Sequence, residues 1–486
     1  MTLFLCGILA LILGYFTYGR WIEHLLGPDD RPTPAIAGAD GVDTLPLPKW
    51  KNLLIQLLNI AGVGPVIGVI IGIKFGIKCF WIIPLGCILG GAVHDYISGF
   101  ISLRNHGINL PELTRRSLGE LYHKIYVLFV IILLLLVVAV FVNIPSQLIV
   151  STLPQTLPDT PAFWIAAVII LAYYIASTIF PVDRIIGKIY PLFGALLLIG
   201  TLAMFIALCI NGFQEPHLLT ETEAFLAGMF TDQPVIPCLF VTIACGIISG
   251  FHATQSPIVA RTMRHERESR CTYYGMMITE GVIAMIWAAA GLAIYNTFPE
   301  LMSDKPAKAL SVATEHFLGG NIGLLTIFSV IILAITSGDT ALRSLRLTLA
   351  EYVKVPQRSL KSRIFVCLPL LGCIGLLLWW SNQDATSFEW LWKYFAWGNQ
   401  ILAASTLMAC TVWLKRHGKT PWVTLLPGAF MTFIVFSFIL WSDVSHPGCP
   451  YGFNLPLSLA YPIAGCVTLI CCALVWRLGN QKTQDC

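Results

Sequence analysis

The chain has 486 residues, of which 56% are hydrophobic and only 12% charged, with a formal net charge of +4 and a mean hydropathy of +0.76. A soluble domain carries roughly 25% charged residues, so the composition excludes an ordinary soluble enzyme or nucleic-acid-binding module and indicates an all-α polytopic membrane protein. The 15 cysteines sit mostly singly in apolar runs, without CxxC or a zinc-like Cys/His spacing, and read as small packing residues.

Residues 1–19 lack a basic leader and a small-residue cleavage site, so they are expected to form an extra N-terminal transmembrane helix. Residues 20–52 follow as a cytoplasmic linker, and its 28–48 portion, rich in Pro, Gly and Asp, is expected to hold little structure. The next apolar run, Leu53 to Ile73, is interrupted by Asn59-Ile60-Ala61-Gly62-Val63-Gly64-Pro65. Gly62 and Gly64 each weaken a helix by about 1 kcal/mol relative to Ala, and Pro65 lacks an N–H unless it opens a new helix. Two half-helices joined by an unwound segment are expected. Such backbone survives at membrane depth only when buried in protein or lining a wet cavity, as in the broken helices of secondary transporters.

Thirteen spans are expected in all, near 2–19, 53–73, 79–103, 124–150, 162–180, 188–211, 235–260, 273–297, 321–346, 363–380, 388–413, 421–442 and 459–478. Alternate loops hold 25 of the 30 Lys and Arg; the other side keeps Lys74, Lys78, Lys305, Lys308 and Lys393, with Glu215, Glu221, Glu223 and Asp232. Basic loops stay cytoplasmic, which predicts the N-terminus outside and the C-terminus inside. Segment 300–320 reads as a short amphipathic helix on the outer face.

With the first span set aside, the remaining spans are numbered core helices 1 to 12. Core helix 6, 235–260, holds a second interruption in the stretch Gly246 to Pro257, with Pro257 at or near the start of the second half-helix. Five helices separate the two breaks, an odd number, so the second unit enters the membrane inverted. The expected core is an inverted five-plus-five repeat, 53–211 and 235–413, with discontinuous core helices 1 and 6 and two peripheral C-terminal helices over 421–478.

Ionisable groups within spans cost at least about 2.5 kcal/mol each and need a reason to be there. Core helix 2 carries His94 and Asp95, read as a proton-accepting carboxylate beside a histidine, or as a structural polar clamp. Core helix 8 carries Thr336, Ser337 and Asp339, a set able to take a proton or coordinate sodium; Asp339 can instead pair with Arg343 four residues on. The substrate-binding candidates are Gln56, Asn59, Gly62 and Gly64 at the first break and His252, Thr254, Gln255 and Ser256 at the second, where free N–H groups and the helix dipole favour an anion. Glu280 in core helix 7 is a further intramembrane acid with no assignable partner. Arg104, Arg115, Arg116, Arg261, Arg264, Arg267 and Arg270 read as topological anchors pairing with Glu112, Glu266 and Glu268.

Four segments carry a family resemblance: WKNLLIQLLNIAGVGPVIG at 50–68, GGAVHDYISGFISLRNHGINLPEL at 90–113, GIISGFHATQSPIVAR at 246–261 and ITSGDTALRSLRL at 335–347. Together they resemble the carbon starvation CstA family of bacterial inner-membrane transporters, of which this looks like a short member. The resemblance implies uptake of pyruvate or peptides during nutrient limitation. The leading expectation is therefore a non-enzymatic importer of a small carboxylate nutrient across the lipid bilayer, coupled to protons or sodium, with no bound metal or other cofactor and no nucleic-acid partner. A nutrient sensor signalling through a partner protein is the alternative.

Overall fold

The computed structural model describes residues 1–481 except 39, 42, 153–157, 181–185, 229–232, 303–305, 384 and 447–448. Asp232 and Lys305 lie outside the described residues, as does most of the loop near 181–188. Every regular element among the described residues is helical. Ten helices are long and apolar enough to cross a membrane, or eleven when the bent pair Lys49–Ile60 and Gly64–Phe75 counts as one span. Two of the thirteen expected segments do not register as spans. Residues 235–260 are cut into short pieces. Helix Ala385–Arg416 is continuous over 32 residues, but Asn399, Gln400 and its tryptophans dilute its hydropathy.

The first break lies where the glycines place it. Helix Lys49–Ile60 ends at Ala61, and a wide helical turn, Gly64–Gly68, starts the second half with Pro65 in its first positions. The halves meet at 53°. The second break does not lie at Pro257. The chain is extended at Ile248 and Ser249, and the second half-helix runs Gly250–Ala260 with Pro257 inside it. The two breaks pack directly on one another. A Cβ on Gly64 would sit 2.0 Å from the Cβ of Cys245, so only glycine permits this approach.

Core helix 8 belongs to the long element Pro306–Tyr352, which is interrupted at Gly319, where φ is 72°. The segment before Gly319 is the expected amphipathic helix, with Leu310 and Ala313 buried. The linker is better ordered than its composition suggested. The Thr33 hydroxyl donates to the Met263 carbonyl at 2.6 Å, and the Leu45 and Leu47 amides donate to the carbonyls of Arg261 and Thr262. Proline and glycine kept this stretch from forming long helices, and its polar groups found partners on the end of core helix 6 instead.

Of the expected anchor partners Glu112 and Glu266 are used, whereas Glu268 keeps a buried oxygen without a hydrogen-bond partner and Arg261 turns to Glu351; acids of the linker add further pairs. Arg104 bonds Glu266, Arg115 and Arg116 bond Glu112, Arg267 pairs with Asp30 and Arg270 with Glu23.

Candidate functional site

The first centre gathers around Asp95. Its Oδ1 lies 2.8 Å from Nδ1 of His94 and its Oδ2 lies 2.9 Å from Nδ1 of His252. Nε2 of His252 lies 3.6 Å from Oε2 of Glu280, and the Ile60 carbonyl rests against the same ring. All four side chains are 0–1% exposed. Core helices 2, 6 and 7 thus converge with the end of the first half of core helix 1. The His94 ring folds back onto the carboxylate of its chain neighbour. Glu280 gains the partner that its sequence context did not reveal.

The second centre gathers around Asp339. Hydroxyls of Tyr173 and Ser177 on core helix 4 donate to Oδ2 at 2.7 and 3.1 Å, and the Tyr190 hydroxyl reaches Oδ1 at 3.0 Å. Tyr190 also reaches the Thr336 carbonyl and Oδ1 of Asn59. Asp339 does not form the close ion pair with Arg343 that their spacing allowed. Arg343 turns instead to Asp43 of the linker, at 2.6 Å, and to the carbonyls of Ser177 and Phe180. Arg346 closes on the same Asp43 at 3.0 Å. Burial opposes ionisation of Asp43, but the guanidiniums of Arg343 and Arg346 hold its carboxyl down to about 2.

Thr336 and Ser337 do not bond Asp339. Both hydroxyls donate to the Leu58 carbonyl, at 3.0 and 3.2 Å, and so satisfy a backbone acceptor that the break would otherwise strand. Gly62 faces this point: a Cβ there would lie 3.0 Å from the Phe141 ring and 3.3 Å from the Ser337 hydroxyl. Phe141 in turn packs edge-on to Phe251 and Phe395.

The substrate candidates separate into two groups. Both amide atoms of Gln56, Nδ2 of Asn59 and Oε1 of Gln255 are buried without a hydrogen-bond partner. Buried amides are normally satisfied, so these atoms are available to a ligand. Thr254 and Ser256 spend their hydroxyls on the carbonyls of Phe251 and His252 in their own helix. His252 is held between two carboxylates, so the structure places it in the acid centre rather than as a free donor to an anion. Sequence reasoning missed Asn399 of core helix 10. Its Oδ1 accepts the Phe251 amide at 2.7 Å and the Ser249 hydroxyl at 3.2 Å, capping the second half-helix. Only its place in an apolar run next to Gln400 signalled it. Among the described residues, no group of three His, Cys, Asp or Glu side chains is arranged to hold a metal ion.

The family model described as carbon starvation protein CstA matches residues 1–180, 162–318 and 307–437. An uncharacterised membrane protein of Haemophilus influenzae is 42% identical over 349 residues, covering 62% of this chain and 92% of that protein. The peptide transporter CstA of Campylobacter jejuni is 22% identical over 542 residues, covering 86% of this chain and 77% of its own. Among solved structures, a Na+-coupled sialic acid symporter in a substrate-bound outward-open state aligns with a TM-score of 0.53 at 13% identity, covering 100% of this chain and 98% of that one. This last similarity is one of fold.

Proposed function

This chain belongs to the carbon starvation protein CstA family, and on that premise we propose that it is a secondary transporter of the bacterial inner membrane importing a small carboxylate nutrient, pyruvate or a short peptide, during carbon limitation. The observation that carries the reading is the meeting of two interrupted helices, Gly64 against Cys245, beside buried amides that lack partners. A protein that only needed to hold itself together would satisfy Gln56 and Asn59 or replace them with apolar residues, since each unmade buried hydrogen bond costs about 1–3 kcal/mol. Relatives named as peptide transporters support the same direction.

In this reading core helices 1–5 and 6–10 are inverted repeats, with the N-terminus outside and the C-terminus in the cytoplasm. Gln56, Asn59 and Gln255, with the amides freed at the breaks, receive the carboxylate. Asp95 with His94 and His252, and Asp339 with its hydroxyl donors, are the two candidate coupling centres. Sodium is the second reading for the coupling ion, favoured by the Leu58 carbonyl and the Thr336 and Ser337 hydroxyls clustered at the first break. Uptake of pyruvate and of di- and tripeptides into proteoliposomes, under imposed proton or sodium gradients, tests the proposal. Accumulation of an acid but not of its uncharged amide analogue is expected. If no member of the panel accumulates under either gradient, the sensor reading replaces this one.

A further inference from the structure

The arrangement around Asp95 differs from the Asp43 cluster in one respect. Asp43 is neutralised by two arginines, which carry fixed charge. The Asp95 centre holds two carboxylates and two imidazoles and no Lys or Arg in contact with them among the described residues. Its net charge therefore depends on how many protons it holds. A charge left unpaired at such depth is costly, so proton occupancy must follow geometry.

The cluster is also incompletely bonded. Both oxygens of Glu280 and Nε2 of His94 are buried without a hydrogen-bond partner. The contact from Glu280 to His252 is 3.6 Å, longer than a hydrogen bond. Nε of Arg343 and of Arg346 also lack a partner, so it is the combination of unsaturated carboxylate oxygens with the lack of a fixed countercharge that sets this cluster apart from the Asp43 one. The groups facing Glu280 are His252 from the second half of core helix 6, Asp95 from core helix 2 with His94 behind it, and the thiols of Cys87 and Cys245. His252 rides on the half-helix that begins at Gly250, immediately after the break, and touches the Ile60 carbonyl just before the other break. Any movement of the two broken helices changes its distance to Glu280.

We propose that Glu280 is the proton-carrying carboxylate of the transport cycle and that His252 links it to Asp95, so that the coupling ion is a proton; this rests on the transporter reading above. The step is a simple protonation: the Glu280 carboxylate takes one proton from the outer aqueous phase to become the neutral acid and returns it to the cytoplasmic phase. His252 exchanges hydrogen bonds through Nδ1 and Nε2 as the charge on Glu280 changes. When Glu280 is neutral, His252 needs to balance only Asp95, and the broken helix is free to leave core helix 7.

The test compares wild type, Glu280→Gln and Glu280→Asp in proteoliposomes holding a pH-sensitive dye. Wild-type vesicles are expected to acidify when an accumulated substrate is added. Glu280→Gln should keep gradient-free counterflow while losing acidification and at least tenfold of proton-driven accumulation, with the pH dependence of counterflow flattened. Glu280→Asp should recover part of the acidification. Acidification by Glu280→Gln equal to wild type, or wild-type uptake driven by sodium alone, overturns the proposal. A second measurement needs neither transport nor an active variant. The infrared C=O band of buried carboxylic acids should grow in the wild-type protein as pH falls, and Glu280→Gln should remove one component of it while leaving those of Asp95 and Asp339. A wild type without that band, or a band unchanged by the substitution, also overturns it. If the band behaves as expected and no substrate is carried, the transport reading fails and the proton site stands.

Discussion

Replacing Asp43 with Asn tests whether the linker belongs to the folded core. Its carboxylate lies 2.6 Å from Arg343 and 3.0 Å from Arg346, and both guanidiniums are fully buried. Burial resists its ionisation, yet the two arginines hold its carboxyl down to about 2, against an ordinary 3.8. A shift of that size corresponds to about 2 kcal/mol of differential stabilisation. A carboxyl lowered in the folded state contributes its stability above the unfolded value and loses it as pH falls through the folded one. The contribution is therefore full at neutral pH and fades from about pH 4 to about pH 2. Deleting the charge also strands two buried arginines, a loss of about 3–5 kcal/mol for a broken buried pair. Asp43→Asn should lower the melting temperature of the detergent-solubilised protein at pH 7 by several degrees, and the gap to wild type should close as pH is lowered towards the folded value. Asp29→Asn is the control. Asp29 pairs with Arg31 at the surface, both about half exposed, and such pairs contribute about 0–1 kcal/mol. An Asp43→Asn protein that melts with wild type at pH 7, or a gap that persists undiminished into acid, would refute the reasoning.

Three further outcomes are expected. Gly64→Ala places its Cβ 2.0 Å from that of Cys245 and should destabilise by about 1–3 kcal/mol; adding Cys245→Gly should recover most of the loss, and strictly additive effects in the double-mutant cycle would separate the two breaks. Tyr190→Phe removes a hydroxyl that reaches both Asp339 and the Thr336 carbonyl and should cost about 1.5–3 kcal/mol in denaturant titration; an unchanged midpoint means that Asp339 is not held from core helix 5. Single cysteines replacing Glu221 and Arg267, in a background lacking reactive native cysteines, should react with a membrane-impermeant thiol reagent from outside and from inside respectively. The reverse pattern inverts the whole topology.

The first break was legible because its cause is local: Gly62, Gly64 and Pro65 cannot continue a helix comfortably whatever surrounds them. The second break was legible as a stretch, Gly246 to Pro257, but the start of its second half-helix was not. Pro257 sits inside Gly250–Ala260, where neighbouring helices tolerate its missing donor. The interruption itself falls at Ile248 and Ser249, and the carboxamide of Asn399 caps the half-helix that follows. Nothing in the local sequence announces a cap that arrives from another helix. Asp339 and Arg343 show the same limit. Their i,i+4 spacing permitted a pair, but Asp43 from the linker and hydroxyls from core helices 4 and 5 outcompeted it. Local arithmetic lists the partners a residue can have, and tertiary packing chooses among them.

The two acid centres differ in the kind of donor they use, and this suggests a division of labour. Tyr173, Ser177 and Tyr190 bring hydroxyl dipoles to Asp339, which hold its position without adding charge. His94 and His252 bring imidazoles to Asp95, whose charge changes with a proton. The first half of core helix 1 is gripped by both. Asn59 accepts from Tyr190 in the Asp339 centre, and the next residue, Ile60, presents its carbonyl to His252 in the Asp95 centre. Thr336 and Ser337 hold Leu58 one residue earlier. Three consecutive residues, Leu58 to Ile60, therefore tie the end of one half-helix to core helices 5, 6 and 8 immediately before the unwound segment. On the proposal above, a proton on Glu280 changes the hydrogen bonds of His252 and so reaches that end directly, while the neutral donors around Asp339 hold the neighbouring residue. If coupling runs through this arrangement it needs no long pathway through the protein, because His252 contacts Ile60 at the end of the half-helix that stops just before Gly62.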